Sequence, residues 1–419
     1  AFWSIVGNAF GKVFTFVAMI FVIRILGKEA SGEFGWIRAT ATTFVVFSNF
    51  GMGLTATKYI AELLHTNKER VGRIISLTYL LTFFTSLIVA ITFYLSAPWF
   101  CETRLNAPHL TAAMQLGAVL LFLVTFMGTQ NSVMAGFQDF RGLAITIGII
   151  GVLSLPIYVL GAYWYGVYGI MVSVIVCAIF NVIINSMFIY RNVKKYQLRY
   201  NFRKAYKEYP VLLNSNLPIV ICNILYAGMI WLTQMMLRLQ PNGTAELGEY
   251  YAAQNIQIAF CFIPSILMSV FFPNLCEVGG TGQNRRYWNV VKKGLILQTI
   301  VSLLVLLPLF LFPNFFMKIN GVEFSGNGLV LLSIGIWGLL CILCNVGWCV
   351  MVDQKKTWFT VFVLVIEVTI ALTLSHLLLN HQWGNIGIIT ALITGRMINL
   401  ILVTYYLHKQ SMKTEIQFT

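Results

Sequence analysis

The sequence predicts an all-α polytopic membrane protein of twelve transmembrane helices, in two pseudo-symmetric six-helix bundles around a central cavity. Three observations predict it. Of 419 residues, 58% are hydrophobic and only 10% are charged, against about 25% charged in a soluble chain, and the mean hydropathy is +0.79. The apolar residues gather into twelve runs at roughly 35 residues per run, room for a ~20-residue bilayer span and a short loop. The two halves of the chain also repeat one another at a nearly fixed offset. The first observation alone excludes a water-soluble enzyme or a nucleic-acid-binding protein.

The runs lie at 2–26, 34–57, 73–97, 111–136, 143–164, 167–190, 209–237, 250–272, 290–312, 327–352, 357–379 and 385–407. Unpaired backbone groups are not tolerated in hydrocarbon, so each run is a helix. The connections alternate in charge. One side holds Lys58, Lys68, Arg70 and Arg73, then Arg141, then seven cations within 191–208, then Arg285, Arg286, Lys292 and Lys293, then Lys355 and Lys356, and in the tail Lys409 and Lys413. Those are twenty cations, against Lys28, Arg104 and Lys318 on the other side. Cationic loops stay in the cytoplasm, so both termini are expected there. The net charge of +14 is thereby read as topology rather than as nucleic-acid affinity. Trp99, Trp164, Trp288, Trp358 and Trp383 fall at span ends, where amphipathic rings settle.

The expected organisation is a first bundle at 1–190, a basic cytoplasmic linker at 191–208, a second bundle at 209–408 and a cytoplasmic tail at 409–419. The linker is read as a solvated topology determinant touching anionic headgroups. The chain opens at Ala1 without Met or a leader of signal-peptide form, so a short preceding segment is expected.

The halves match at several points. Gly32-Glu33-Phe34 and Gly248-Glu249-Tyr250 are 216 apart; Gly166-x-x-Gly169-Ile170 and Gly384-x-x-Gly387-Ile388 are 218 apart, as are Asn181 and Asn399; Arg24 and Arg238 are 214 apart. Each half has an even number of spans, so the copies share one orientation and relate by an axis along the membrane normal. Repeats of this kind place a substrate cavity between the halves and work by alternating access.

The eight cysteines offer no disulfide framework, and Cys341 and Cys344 form a CxxC inside an apolar run, read as packing. The five histidines are dispersed, and no Gly-rich phosphate loop or nucleophile–base pairing occurs. No enzyme, metal or cofactor is therefore expected.

The residues Arg24-Ile25-Leu26-Gly27-Lys28-Glu29-Ala30-Ser31-Gly32-Glu33-Phe34-Gly35, Gly51-x-Gly53-Leu54 followed by Lys58-Tyr59-Ile60-Ala61-Glu62, Gly248-Glu249-Tyr250-Tyr251-Ala252-Ala253, and Pro273 resemble the polysaccharide-exporter branch of the multidrug/oligosaccharidyl-lipid/polysaccharide superfamily, the Wzx-type O-antigen flippases. The resemblance extends over all twelve spans; its motifs are loose patterns of glycine, aromatic and basic residues. It implies a flippase for an undecaprenyl-pyrophosphate-linked oligosaccharide in lipopolysaccharide biosynthesis. Glycosyltransferases or a glycan polymerase of the same pathway would be partners. Rival readings are a multidrug exporter of the same superfamily, whose cargo is cationic, a lipid II flippase, and a membrane glycan polymerase.

An ionisable side chain at mid-membrane costs at least ~2.5–3.5 kcal/mol, which makes it a functional candidate. Lys12 lies near the middle of the first span, on one stripe with Ser4 and Asn8. It is read as a cation meeting the pyrophosphate, with snorkelling as the alternative. Gly7 and Gly11 form a GxxxG read as helix packing. Arg24, Arg38 and Arg238 are candidates for an outer ring of forked phosphate donors, the alternative being contact with outer headgroups. Glu367 and Arg396 lie at similar depth in the last two spans; they are either a structural ion pair or a proton- or sodium-sensitive coupling site. Asn8 and Gln254, with Asn49, Asn223, Gln234 and Gln257, lie on the helices that the resemblance places around the cavity. They suit sugar hydroxyls, or else interhelical hydrogen bonds.

Overall fold

Two helices are far too long for a single crossing. In a computed structural model, which describes residues 2–49, 52–64, 66–208, 217–280 and 284–416, α1 (Phe2–Asn49) has 48 residues, about 72 Å if straight against ~30 Å of hydrocarbon. It is broken at Gly27, with φ 74° and ψ −173°, a conformation open to glycine and strained for any L side chain. After α2 (Met52–Leu63), α3 (Lys68–Trp99) and α4 (Thr111–Gly136), α5 (Phe140–Lys195) runs for 56 residues and is broken at Tyr165 and Gly166. Gly166 has φ 55°. Each of the two long helices is therefore two spans joined by a sharp corner.

The remaining helices are α6 (Leu217–Arg238), α7 (Gly243–Gly280), α8 (Asn284–Leu311), the short α9 (Pro313–Ile319), α10 (Gly328–Asp353), α11 (Thr357–Asn380) and α12 (Gly384–Ile416). Among the described residues ten helical stretches are long and apolar enough to cross a membrane; counting the two broken ones twice gives twelve spans. Among the described residues there is no strand.

The side-chain distribution is that of a chain in lipid. On α8 the apolar Ile296, Ile300, Leu303, Leu304, Leu307 and Leu311 are exposed, while Gln298 and Ser302 are fully buried. Gln298 Nε2 donates to the Pro264 carbonyl at 2.9 Å. Lipid asks nothing of an apolar face, whereas a polar group needs a partner inside the protein.

The chain divides into two compact units, Ala1–Ala227 and Gly228–Thr419. In unit 1, α1 packs most extensively on α5, and glycine makes the approach close. A Cβ on Gly7 would collide with Ala144 Cβ, and one on Gly11 with the Ile147 carbonyl oxygen. The GxxxG is a packing surface.

The repeat is visible within each unit. Gly166 and Gly384, equivalent by sequence, have φ 55° and 54°. A Cβ on Gly169 would meet Tyr165 Cβ at 2.8 Å and one on Gly387 would meet Trp383 Cβ at 2.9 Å. One core cluster of unit 1 joins the ends of the second, third, fourth and sixth spans (Ile60, Ile74, Met134, Ile189). Its counterpart in unit 2 joins the eighth, ninth, tenth and twelfth (Leu275, Val291, Val350, Leu407). Glu33 and Glu249, in the matching Gly-Glu-aromatic motifs, both tie down a neighbour: Glu33 Oε1 to His109 Nε2 at 3.1 Å, and Glu249 Oε2 to Asn385 Nδ2 at 2.8 Å.

The structure differs from the sequence reading at the connections. Residues 28–33 are helical, so the first connection is a one-residue corner, not a loop. Helix α5 runs on to Lys195, and the residues after it pack against α3. Leu198 and Ala205 are buried, the Asn201 amide donates to Ser76 Oγ at 3.0 Å, and Glu208 accepts from Arg70 Nε at 3.0 Å and Arg73 Nε at 3.1 Å. The linker is docked rather than solvated, because its lone carboxylate finds two guanidinium groups at the start of α3.

Candidate functional site

The predicted site residues fall in two groups. Asn8, Lys12, Arg24 and Arg38 all lie on α1 in unit 1; Arg238, Gln254, Glu367 and Arg396 lie in unit 2. The side chain of Asn8 is outside the described residues.

Lys12 is exposed, although Gly11 beside it is buried. Met19 and Ile23, two and three turns further along nearly the same face, are buried at 8% and 3% exposure. The face that carries Lys12 is therefore covered toward Gly27. Arg24 and Arg38, on either side of the Gly27 corner, are exposed too. Arg38 stands within electrostatic reach of the buried Tyr158 phenol on α5. No Asp or Glu lies within the first six predicted spans, so the charges of unit 1 in the membrane are cationic.

Neutral polar side chains also pair between the helices of unit 1. Asn185 Nδ2 donates to Asn131 Oδ1 and to Asn181 Oδ1, each at 3.0 Å; Gln130 Nε2 donates to Ser186 Oγ at 2.8 Å; and the Thr82 and Thr129 hydroxyls are 2.9 Å apart. This network binds α3, α4 and the second span of α5 together.

Unit 2 has a charged cluster around Asn399, the repeat equivalent of Asn181. Arg396 Nη2 lies 3.1 Å from Glu367 Oε1, and Asn399 Nδ2 donates to Glu367 Oε2 at 2.6 Å. Glu367 is 1% exposed and Arg396 9%. Gly395 lets α12 approach α11 closely, since a Cβ there would stand 3.1 Å from the Glu367 carbonyl oxygen. Cys344 of the CxxC donates to the Arg396 carbonyl at 3.7 Å, consistent with packing. Asn399 is the member of this cluster that sequence reasoning did not assign. Its spacing of three from Arg396 puts both on one helix face, which is the signal that finds it.

The other two candidates are placed differently. Arg238 ends α6 and its Nη1 donates to Thr244 Oγ1 in the first turn of α7. Gln254 is half-buried on α7. Nearby, Gln234 Oε1 accepts from Tyr251 at 2.9 Å and Gln257 packs where Gly338 lacks a side chain. Among the described residues no three His, Cys, Asp or Glu side chains stand close enough to hold a metal.

Several solved structures share this fold. An inward-facing multidrug-resistance MATE transporter of the MOP superfamily matches with a TM-score of 0.75 at 13% identity, over 98% of this chain and 99% of its own. An inward-closed structure of the lipid II flippase MurJ matches at 0.75 and 12% identity, over 97% and 88%. A MOP-superfamily transporter from Pyrococcus furiosus, described as having a binding pocket of reverse polarity, matches at 0.66 and 14% identity, over 98% and 94%. No curated protein matches by sequence. The family model for polysaccharide biosynthesis proteins matches residues 1–278. With a membrane fold shared with MATE transporters and MurJ, and a family match across two thirds of its length, the chain belongs to the polysaccharide biosynthesis protein family.

Proposed function

We propose that the protein is a flippase that moves an undecaprenyl-pyrophosphate-linked oligosaccharide, such as an O-antigen unit, from the cytoplasmic to the outer leaflet of a bacterial inner membrane by alternating access. The observation that carries this reading is the sign of charge in unit 1. Lys12 and Arg38 are exposed, and no Asp or Glu lies within the first six apolar runs. An exposed cation in hydrocarbon is costly, and an anionic headgroup offsets that cost. A cationic drug would add to it.

In this mechanism Lys12 serves as a compact point charge for the pyrophosphate, and Arg38, with Arg24 and Arg238 nearer the outer surface, offers forked donors. Asn8 and Gln254 supply amides for sugar hydroxyls, while the prenyl tail stays in lipid. An inside-negative potential favours outward movement of the cargo: two charges crossing 100 mV release about 5 kcal/mol. Glu367 and Arg396 are either a structural brace between α11 and α12 or the site of ion coupling. In the coupling role, a proton or sodium ion on the Glu367 carboxylate competes with Arg396, so the pair opens and closes with the cycle. Both termini lie on the cytoplasmic side, beside the glycosyltransferases that make the cargo and the polymerase that consumes it.

The test is translocation in proteoliposomes. A polyprenyl-pyrophosphate oligosaccharide is expected to cross when a potential, negative on the side of entry, is imposed, and to accumulate less when it is collapsed. Transport of an organic cation instead, with no movement of the pyrophosphate lipid, contradicts the reading and favours a multidrug exporter.

A further inference from the structure

The docked strip after α5 has one face that the fold uses and another that it does not. The inner face is fixed by the buried Leu198 and Ala205 and by the Glu208 clamp to Arg70 and Arg73. The Arg199 carbonyl oxygen fills the place that a Cβ on Gly72 would need, so the backbone rests directly on α3. The outer face consists of Arg199, Tyr200, Phe202, Arg203, Lys204 and Tyr206, all exposed. The Tyr200 and Phe202 rings stack at 6.1 Å. Lys194 and Lys195, on the adjoining last turn of α5, are exposed as well. The one carboxylate of the strip, Glu208, is only 5% exposed and is held by two arginines; Glu69, exposed at the start of α3, is 4.0 Å from Arg73.

We infer that this outer face is a binding surface for the acidic headgroups of phospholipids in the leaflet at the Lys195 end of the spans. Two features select a membrane over other polyanions. The strip continues directly from one span and rests on the end of another, so it lies at headgroup depth. It also alternates cations with aromatic rings, and such rings prefer the interface, while juxtamembrane cations each add about fivefold to the affinity for acidic lipid. A loop that faced only water would gain nothing from three exposed rings. The inference is independent of the cargo, and the strip takes part in no transport step described above.

The experiment uses the full-length protein and two lipids, phosphatidylglycerol and phosphatidylcholine, offered in equal amounts in mixed micelles. Native mass spectrometry counts the lipid retained. Wild type is expected to keep phosphatidylglycerol over phosphatidylcholine, and to lose that preference as salt rises. The R199Q/R203Q/K204Q variant, altered only at exposed side chains, is expected to bind it on the order of a hundredfold less tightly with its melting temperature unchanged. Independently of any variant, amide exchange across 196–208 is expected to slow in phosphatidylglycerol nanodiscs relative to phosphatidylcholine nanodiscs. Equal retention of the two lipids by wild type, or exchange that is the same in both nanodiscs, overturns the inference. So does a strip that ignores phosphatidylglycerol and is protected only by RNA or by a polyprenyl pyrophosphate.

Discussion

Glu367 has no water to turn to. With 1% of its surface exposed, its charge is balanced by Arg396 at 3.1 Å and its second oxygen by Asn399 at 2.6 Å. Removing one partner of a buried pair leaves the other uncompensated and costs about 3–5 kcal/mol, whereas replacing both is often neutral. Arg396→Ala is therefore expected to lower stability by that amount, and Glu367→Gln with Arg396→Gln to recover most of it, giving a large coupling energy in a double-mutant cycle of thermal unfolding. Transport separates the two roles of the pair. If Glu367 carries the coupling ion, the recovered double variant is folded yet indifferent to proton and sodium gradients; if the pair only braces α11 against α12, the double variant keeps its response. The pair was legible because both residues lie about equally deep in neighbouring apolar runs. Glu208 was not. A single acid among seven cations looks like a solvated charge, and only the docking of the strip on α3 shows that it is buried between two arginines. Glu208→Gln is expected to free the strip, seen as faster amide exchange across 196–208, because a neutral amide no longer compensates Arg70 and Arg73.

At the scale of elements, glycine decides where the long helices turn. Gly27 and Gly166 have positive φ, which costs an L residue roughly 1–2 kcal/mol. Gly27→Ala and Gly166→Ala should each lower the melting temperature accordingly. Gly148→Ala is the control: it lies in α5 with nothing within 4 Å of where a Cβ would lie, so it should be neutral or gain up to about 1 kcal/mol of helix propensity. Hydropathy located the spans but not the corners, for a physical reason. It senses the part of a helix in hydrocarbon, whereas the helix continues into water wherever its residues form one well, as Lys28 to Glu33 do beyond Gly27 and Arg191 to Lys195 do at the end of α5. The matching glycines at 166 and 384 were nevertheless visible as a repeat, and their shared φ shows what the repeat preserves.

For the molecule as a whole, twelve spans and two units follow from composition and periodicity, since a chain with so few charges must place its apolar surface in lipid. The residues that would act together in transport were less legible. Lys12 and Arg38 share one helix in the structure, but exposure depends on which neighbours cover each face, as Met19 and Ile23 are covered and Lys12 is not. The claim on which the function rests is that these two cations receive a diphosphate. The most direct measurement is translocation of a polyprenyl-pyrophosphate oligosaccharide by Lys12→Glu and Arg38→Glu proteins reconstituted at wild-type levels and melting at wild-type temperatures. The account predicts at least a tenfold loss of rate for each, corresponding to about 1.4 kcal/mol or more, with partial recovery in Lys12→Arg. Translocation at the wild-type rate by both charge-reversed proteins would contradict it.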